Sequence, residues 1–122
     1  MSHRSRVCAV FFDVGHDDYV DAAHFWSGAL GRAIDFDPDK RYTNMPGEME
    51  YGVQSVEPGR EGLHIDFETD DIEAEVTRLE KLGARRREFV KSWWVMIAPG
   101  GQPFCVVPAE SKSWPDDAVE WE

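Results

Sequence analysis

The sequence of 122 residues has few cysteines, no long apolar run and few basic residues, and each absence excludes a class of protein. Two cysteines are too few for a disulfide framework, and the first six residues do not resemble a secretory leader, so we expect a cytoplasmic protein. No apolar run approaches the ~20 residues of a membrane span. Thirteen Lys and Arg against 24 Asp and Glu give a net charge of −11, so we expect neither nucleic acid nor membrane as a partner.

The remaining composition is that of a globular domain. Hydrophobic residues make up 42% of the chain and aromatic residues 12%, which is enough for a packed core. The length predicts one domain, which we assign to residues 1–108, followed by an acidic C-terminal tail over 109–122. The cluster Arg85-Arg86-Arg87 is interrupted at once by Glu88, and this pattern is more typical of a solvated strand edge than of a binding site.

Hydrophobic periodicity predicts two helices among short strands. In the first half the predicted elements are a strand over 7–14, a helix over 17–30 ended by Gly31, and strands over 33–36, 41–44 and 50–56. In the second half they are a strand over 62–69, a helix over 70–82 ended by Gly83, and strands over 86–90, 93–98 and 103–107. Asp70 and Glu73 have the spacing of a capping box at the start of the second helix.

The two halves repeat the same order of elements, which indicates an internal duplication into βαβββ modules over 6–57 and 61–108. Met45-Pro46-Gly47 in the first half corresponds to Ala98-Pro99-Gly100 in the second. Counting from these landmarks, the equivalent pairs of strand residues are Ala9 with His64 and Gly52 with Cys105.

This arrangement resembles the vicinal oxygen chelate superfamily, which includes glyoxalase I, bleomycin-resistance proteins and extradiol dioxygenases. The similar stretches are AHFWSGALG at 23–31, LHIDF at 63–67 running into DDIEAEV at 70–76, and APGGQPFCVV at 98–107. The sequence is most similar to the small glyoxalase-like domain branch of that group. The resemblance implies an α+β fold whose two modules form curved mixed sheets around a concave cleft, and it implies a homodimer, for which Trp114 and Trp121 of the tail offer apolar anchors.

In the metal enzymes of this superfamily, four strand positions supply His, Gln or Glu ligands. The corresponding residues here are Ala9, Gly52, His64 and Cys105, of which only His64 is a standard ligand. The resemblance therefore implies no complete metal site and no cofactor. The alternative is a divalent Zn, Ni, Fe or Mn ion held with the help of neighbouring carboxylates, for which the candidates are Asp13, Glu50 and Asp66.

Strand alternation suggests which other side chains share the concave side. Phe11 and Asp13 follow Ala9 in period two, Asp66 and Glu68 follow His64, and one of the adjacent Trp93 and Trp94 must face the same way. We expect His64 and Asp66 to be the catalytic base and its orienting acid if a reaction occurs, or His64 to be a hydrogen-bonded core residue if none does. The predicted ligand-binding residues are Phe11, Asp13, Glu50, Gly52, His64, Glu68, Trp94 and Cys105.

Three functions are compatible with these residues. The favoured one is a protein that binds a small organic molecule, cationic or aromatic, without a metal, as the bleomycin-resistance proteins of the superfamily do. The second is a lyase, isomerase or dioxygenase relative that uses His64. The third is a domain whose cleft is filled by side chains and whose role is protein contact. A fold alone does not distinguish among them.

Overall fold

The computed structural model describes residues 2–34, 36–47 and 49–122, and these contain eight strands and two α-helices. In chain order the elements are β1 His3–Gly15, a 3-10 turn His16–Asp18, α1 Tyr19–Leu30, β2 Tyr42–Met45, β3 Glu50–Val56, β4 Gly62–Thr69, α2 Ile72–Lys81, β5 Arg85–Val90, β6 Trp93–Ile97, β7 Pro103–Pro108 and β8 Val119–Trp121. Two compact units are present. The first-module unit comprises residues 9–64, and the second-module unit comprises residues 1–8 and 65–122.

In the first-module unit, three strands lie in the order β2–β3–β1 and α1 packs on one face of them. β1 and β3 are parallel, whereas β2 and β3 are antiparallel. The core between helix and strands is apolar, and its buried members are Tyr19, Ala23, Met45 and Val53. α1 ends where Gly31 adopts a φ of 67°, a left-handed conformation that glycine takes without steric cost, as the sequence predicts.

The predicted strand over 33–36 is the main difference in this unit. Ala33, Ile34 and Phe36 are irregular, and Asp35 lies outside the described residues. Ile34 and Phe36 still place their side chains against the core of this unit. The segment is held by Ser27, whose hydroxyl donates to the Arg32 carbonyl over 2.5 Å. The apolar residues that gave this segment its strand-like pattern therefore pack against the core without pairing to another strand.

In the second-module unit, the strands follow the order β1–β4–β7–β6–β5, and β8 pairs with the start of β1. α2 covers one face, and the buried core comprises Val76, Leu79, Met96, Phe104 and Val106. The helix begins one residue later than the capping pattern predicts, because the side chain of Asp71 accepts from the Ala74 backbone N–H over 3.0 Å. Asp70 instead accepts from the backbone N–H and guanidinium of Arg4.

The pairing registers of the two modules support the internal repeat. Phe11 lies opposite Gly52 in the parallel pair β1–β3, and Asp66 lies opposite Cys105 in the parallel pair β4–β7. If Gly52 is equivalent to Cys105, then Phe11 is equivalent to Asp66. Two residues earlier on each strand, Ala9 is equivalent to His64. These are the correspondences predicted by counting along the sequence.

The C-terminal segment, predicted as a tail, packs within the second-module unit. Val119–Trp121 pairs antiparallel with His3–Ser5 as β8. The Trp121 indole donates to the Ser5 hydroxyl over 2.9 Å, and the Arg78 guanidinium lies 3.8 Å from its ring centroid. Trp114 lies under the guanidinium groups of Arg4 and Arg6. Both tail tryptophans thus have contacts within their own chain. Across the described ranges, no helix has the length and apolar character that crossing a bilayer requires.

Candidate functional site

One face of the first-module unit brings together most of the residues that the strand pattern predicted for the site. Side chains alternate along a strand, so the face turned away from α1 carries every second residue of β1, β2 and β3. The cross-strand rows on this face are Tyr42, Gln54 and Asp13, then Asn44, Gly52 and Phe11, then Glu50 and Ala9. We call these rows, together with His64 of the same unit, the Phe11 face.

Phe11 occupies the centre of this face because its neighbour Gly52 has no side chain. A Cβ atom built on Gly52 would collide with the Phe11 ring. On its other side the ring stacks against the His64 imidazole, with centroids 4.9 Å apart and planes 7° from parallel. Gly52 is therefore required by the close approach of an aromatic ring rather than by backbone conformation. The sequence predicted both residues at the site without predicting that one covers the other.

Asp13 fixes the orientation of His64. The His64 Nδ1 atom lies 2.5 Å from Asp13 Oδ2, and the two side chains are only 10% and 8% exposed. An ionised carboxylate only accepts hydrogen bonds, so with Asp13 ionised it is the imidazole that donates from Nδ1. The carboxylate and the stacked Phe11 ring together hold the imidazole in one orientation. The sequence predicted all three residues but proposed Asp66 as the partner of His64.

Two acceptor oxygens on the Phe11 face have no hydrogen-bond partner among the described residues. They are Oδ1 of Asp13 and Oδ1 of Asn44, and both atoms are buried. A buried carboxylate oxygen without a donor costs free energy that a bound donor would recover. Asn44 was not predicted from the sequence. It could have been predicted, because pairing β2 with β3 as a hairpin places Asn44 opposite the predicted site residue Gly52.

Apart from His64, the predicted residues of β4 and β7 lie in the second-module unit. Asp66 and Cys105 are opposite each other, with a carboxylate oxygen within 4.8 Å of the cysteine sulfur. The thiol of Cys8 approaches the Asp66 carbonyl at 3.5 Å. In the described part of the chain, neither Cys8 nor Cys105 belongs to a disulfide.

Glu68, predicted as a ligand-binding residue, is buried in an ion pair of the second-module unit. It is 2% exposed, pairs with the Arg6 guanidinium at 2.7 Å, and accepts from the Ser111 hydroxyl at 2.7 Å. Arg6 also donates to Ser113 and to the Asp116 carbonyl. The C-terminal segment, which was not predicted to be folded, supplies Ser111 to this network.

Trp94 is also placed differently from the prediction. It pairs with Val106 and packs against the α2 core with Met96, so its indole is on the helix side of the sheet. By alternation Trp93 takes the opposite face, which it shares with Val95 and Cys105. Two adjacent tryptophans on a strand give no indication of which one faces the helix. The choice depends on register with β7.

The first module does not fit a metal of the superfamily type. Ala9 has no donor atom and is buried, and any ligating side chain at position 52 would meet the Phe11 ring. The imidazole of His64 suits a metal, and its hydrogen bond through Nδ1 to Asp13 is of the kind that metal-bound histidines make, but positions 9 and 52 add no further ligand. With one suitable ligand at three superfamily positions, this unit does not fit the superfamily's ion, and its residues are arranged for stacking and hydrogen bonding.

Comparisons with solved structures show the same fold in other proteins at low sequence identity. A glyoxalase/bleomycin resistance protein/dioxygenase superfamily member from Vibrio splendidus 12B01 is 15% identical, with a TM-score of 0.55 over 84% of this chain and 97% of that one. A structure described as an NAD-dependent benzaldehyde dehydrogenase from Legionella pneumophila is 10% identical, with a TM-score of 0.64 over 84% of this chain and 98% of that one. These likenesses concern the fold, and they confirm the predicted glyoxalase-like α+β class.

A third likeness is to part of a larger protein. Homoprotocatechuate 2,3-dioxygenase from Brevibacterium fuscum is 16% identical, with a TM-score of 0.59 over 88% of this chain. The match covers 37% of that dioxygenase, so this chain spans little more than a third of its length. Among curated proteins the sequence has no significant match. The family model described as "Glyoxalase-like domain" matches residues 9–107, which is most of the chain. The chain therefore belongs to the family of glyoxalase-like domains.

Proposed function

We propose that the protein binds a small organic molecule on the Phe11 face, that this molecule has an aromatic ring and a cationic N–H donor, and that no metal takes part. The observation that carries the proposal is the buried Asp13 carboxylate, which holds His64 with one oxygen and has its other oxygen unpartnered among the described residues. A ligand N–H would supply the missing donor. A positively charged donor would supply it most strongly, because charge-assisted hydrogen bonds are about twice as strong as neutral ones.

The charge of the Phe11 face supports a cation. Asp13 and Glu50 contribute two carboxylates, and the rows contain no Lys or Arg. The net charge of −11 for the whole chain adds a field of the same sign, which raises the local concentration of cations. An anionic ligand would meet repulsion from both sources.

Aromatic character in the ligand is favoured by the stacked pair at the centre of the face. Phe11 and His64 already form one parallel stack, and Tyr42 at the end of the next row is half-exposed. Flat aromatic groups bury a large area at low entropic cost and pack on such rings in offset or edge-to-face geometry. A planar ring with an amidinium or ammonium group would satisfy the stack and the Asp13 oxygen together.

The test uses benzamidine as the probe and neutral benzamide as its matched analogue, followed by NMR chemical-shift titration. We expect saturable shifts for Phe11, Asp13 and His64 with benzamidine, and at least tenfold weaker binding of benzamide, because it has no charge for Asp13. Asp13→Asn should weaken benzamidine binding about tenfold. The control is Asp17→Asn, which makes the same charge change at an exposed residue of the 3-10 turn that follows β1. It should leave the affinity for benzamidine unchanged.

The stacking part of the proposal has its own variants. Phe11→Ala should weaken both probes, whereas Phe25→Ala, at an exposed phenylalanine of α1, should weaken neither. Equal affinity for the two probes, or equal effects of Asp13→Asn and Asp17→Asn, would contradict a cation site. Shifts confined to residues outside the Phe11 face would contradict the site itself.

A second candidate is general acid–base catalysis by His64, and the hydrogen bond to Asp13 is what favours it. Enzymes orient a catalytic imidazole with a buried carboxylate in this manner. A loss of turnover in His64→Gln with unchanged benzamidine affinity would favour this candidate over simple binding.

A further inference from the structure

We propose that an arginine-lined cavity in the second-module unit binds a small organic phosphate. This site is separate from the Phe11 face and does not depend on the function proposed for that face. The cavity has a volume of about 470 Å³, and it lies between the start of β5 and the turn that joins β6 to β7. Its lining residues are Arg85, Arg86, Arg87, Ile97 and Gly101.

Three consecutive arginines of the edge strand β5 border one cavity. Arg85 pairs with Ile97 and Arg86 with Met96 in regular alternation, so these two side chains leave opposite faces of the strand, and that of Arg86 lies on the side of α2. A β-bulge follows, in which Arg87 is the extra residue between Arg86 and Glu88. The sequence predicted a solvated strand edge at these arginines, and Arg85 and Arg87 are exposed.

The three arginines differ in how their charges are balanced. Arg86 lies 2.6 Å from a Glu73 oxygen and 3.2 Å from a Glu80 oxygen, so the acids of α2 neutralise it, and these hydrogen bonds raise the pKa of its guanidinium. Arg85 and Arg87 are exposed, and neither has a carboxylate partner within the described ranges. Two uncompensated positive charges therefore border the same cavity, in a chain whose net charge is −11.

The chemistry of these groups selects a phosphate. A guanidinium presents a planar set of N–H donors that matches two oxygens of a phosphate, and two such groups can share one dianion. A phosphate alone would occupy only part of about 470 Å³, and Ile97 offers an apolar contact beside the arginines, so the proposed ligand carries an organic group. The acidic remainder of the protein repels extended polyanions, which excludes nucleic acid and leaves a small molecule.

The experiment titrates the full chain with phenyl phosphate, and with benzoate as a singly charged analogue, at constant ionic strength. NMR shifts of the arginine Nε–H groups and backbone amides report the site. We expect saturable shifts at Arg85, Arg87 and Gly101, and weaker binding of benzoate. Arg85→Gln and Arg87→Gln should each weaken phenyl phosphate binding about tenfold, since each removes a charge-assisted hydrogen bond.

The control is Arg41→Gln, an exposed arginine of the first-module unit that carries the same charge change. It should leave the affinity for phenyl phosphate unchanged. Because Arg85 and Arg87 are exposed on an edge strand, both variants should keep the thermal unfolding midpoint of the parent protein. If one variant is unstable, the other alone tests the proposal. The proposal is overturned by shifts that do not saturate, by benzoate binding equally well, or by an equal effect of Arg41→Gln.

Discussion

At the scale of single residues, both faces of the first-module unit hold buried polar atoms that have no partner among the described residues. Asp13 and Asn44 place such atoms on the Phe11 face, where we propose that a ligand binds. The Tyr19 hydroxyl, also without a partner among the described residues, is buried on the helix side against Phe36 and the apolar core. On the Phe11 face, the proposed ligand would supply the missing donors. The Tyr19 hydroxyl has no such role and only lowers stability.

Tyr19→Phe should therefore stabilise the protein by about 1 kcal/mol, since it removes a buried hydroxyl without a partner and keeps the ring. Burial, and then the negative charge of Asp37, raise the pKa of the Tyr19 phenol. The unfolded chain ionises at the ordinary pKa of 10.0, so stability is full below that pH and is lost as the pH rises above it. Urea unfolding at pH 7 and pH 10.5 should show a larger advantage of the variant at the higher pH. An unchanged midpoint would show that the hydroxyl has a partner in solution.

At the scale of elements, the sequence predicted what depends on local pattern and missed what depends on pairing. β3 and β4 begin and end at the predicted residues, because alternation and flanking turns define them. The bulge in β5 and the pairing of β8 with β1 arise from contacts between distant segments. The Asp13–His64 hydrogen bond joins residues 51 positions apart, so the strand pattern predicts their shared face but not their contact.

α2 is tied to the start of β1 by a buried carboxylate. Glu75 is fully buried, accepts from His3 Nε2 at 2.7 Å, and accepts two hydrogen bonds from the Arg78 guanidinium at 2.8 Å. Burial opposes ionisation of Glu75, but the hydrogen bonds from Arg78, His3 and Ser5 outweigh it and lower the pKa of the carboxyl. The Glu75 carboxylate thus links α2 to the start of β1. Through Arg78, on which Trp121 stacks, it also supports the C-terminal segment.

Glu75→Gln should destabilise the protein by about 3 kcal/mol at pH 7, because it leaves buried donors without their charged acceptor. The folded pKa is lowered, so this stabilisation is present above the unfolded value of about 4.5 and is lost as the pH falls through the folded value. The difference between parent and variant in urea unfolding should therefore shrink as the pH falls below about 4.5. Glu73→Gln, an exposed acid of the same helix, should cost less than about 1 kcal/mol. Similar costs for the two variants would contradict the buried network.

At the scale of the whole molecule, the described residues of both modules share the order strand–helix–strand–strand, with β5 as an additional strand in the second, and they differ in what their equivalent positions carry. Ala9 and Gly52 of the first module stand where His64 and Cys105 stand in the repeat, and the Phe11 ring covers Gly52. The same fold thus supports different chemistry through a few strand positions, which is why family membership leaves the function to be argued from the site.

Purified protein should accordingly contain well under one equivalent of Zn, Ni, Fe or Mn per chain, because two of the four superfamily positions carry no donor atom. A chelator should leave the thermal unfolding midpoint unchanged, since a bound ion would otherwise contribute to folded-state stability. His64→Ala should alter benzamidine binding without altering metal content, and His24→Ala, at an exposed histidine of α1, should alter neither. Elemental analysis of the three proteins makes the comparison. One tightly held ion per chain, lost in His64→Ala and kept in His24→Ala, would show that carboxylates such as Asp13 or Glu50 replace the missing ligands, and it would favour an enzyme over a binding protein.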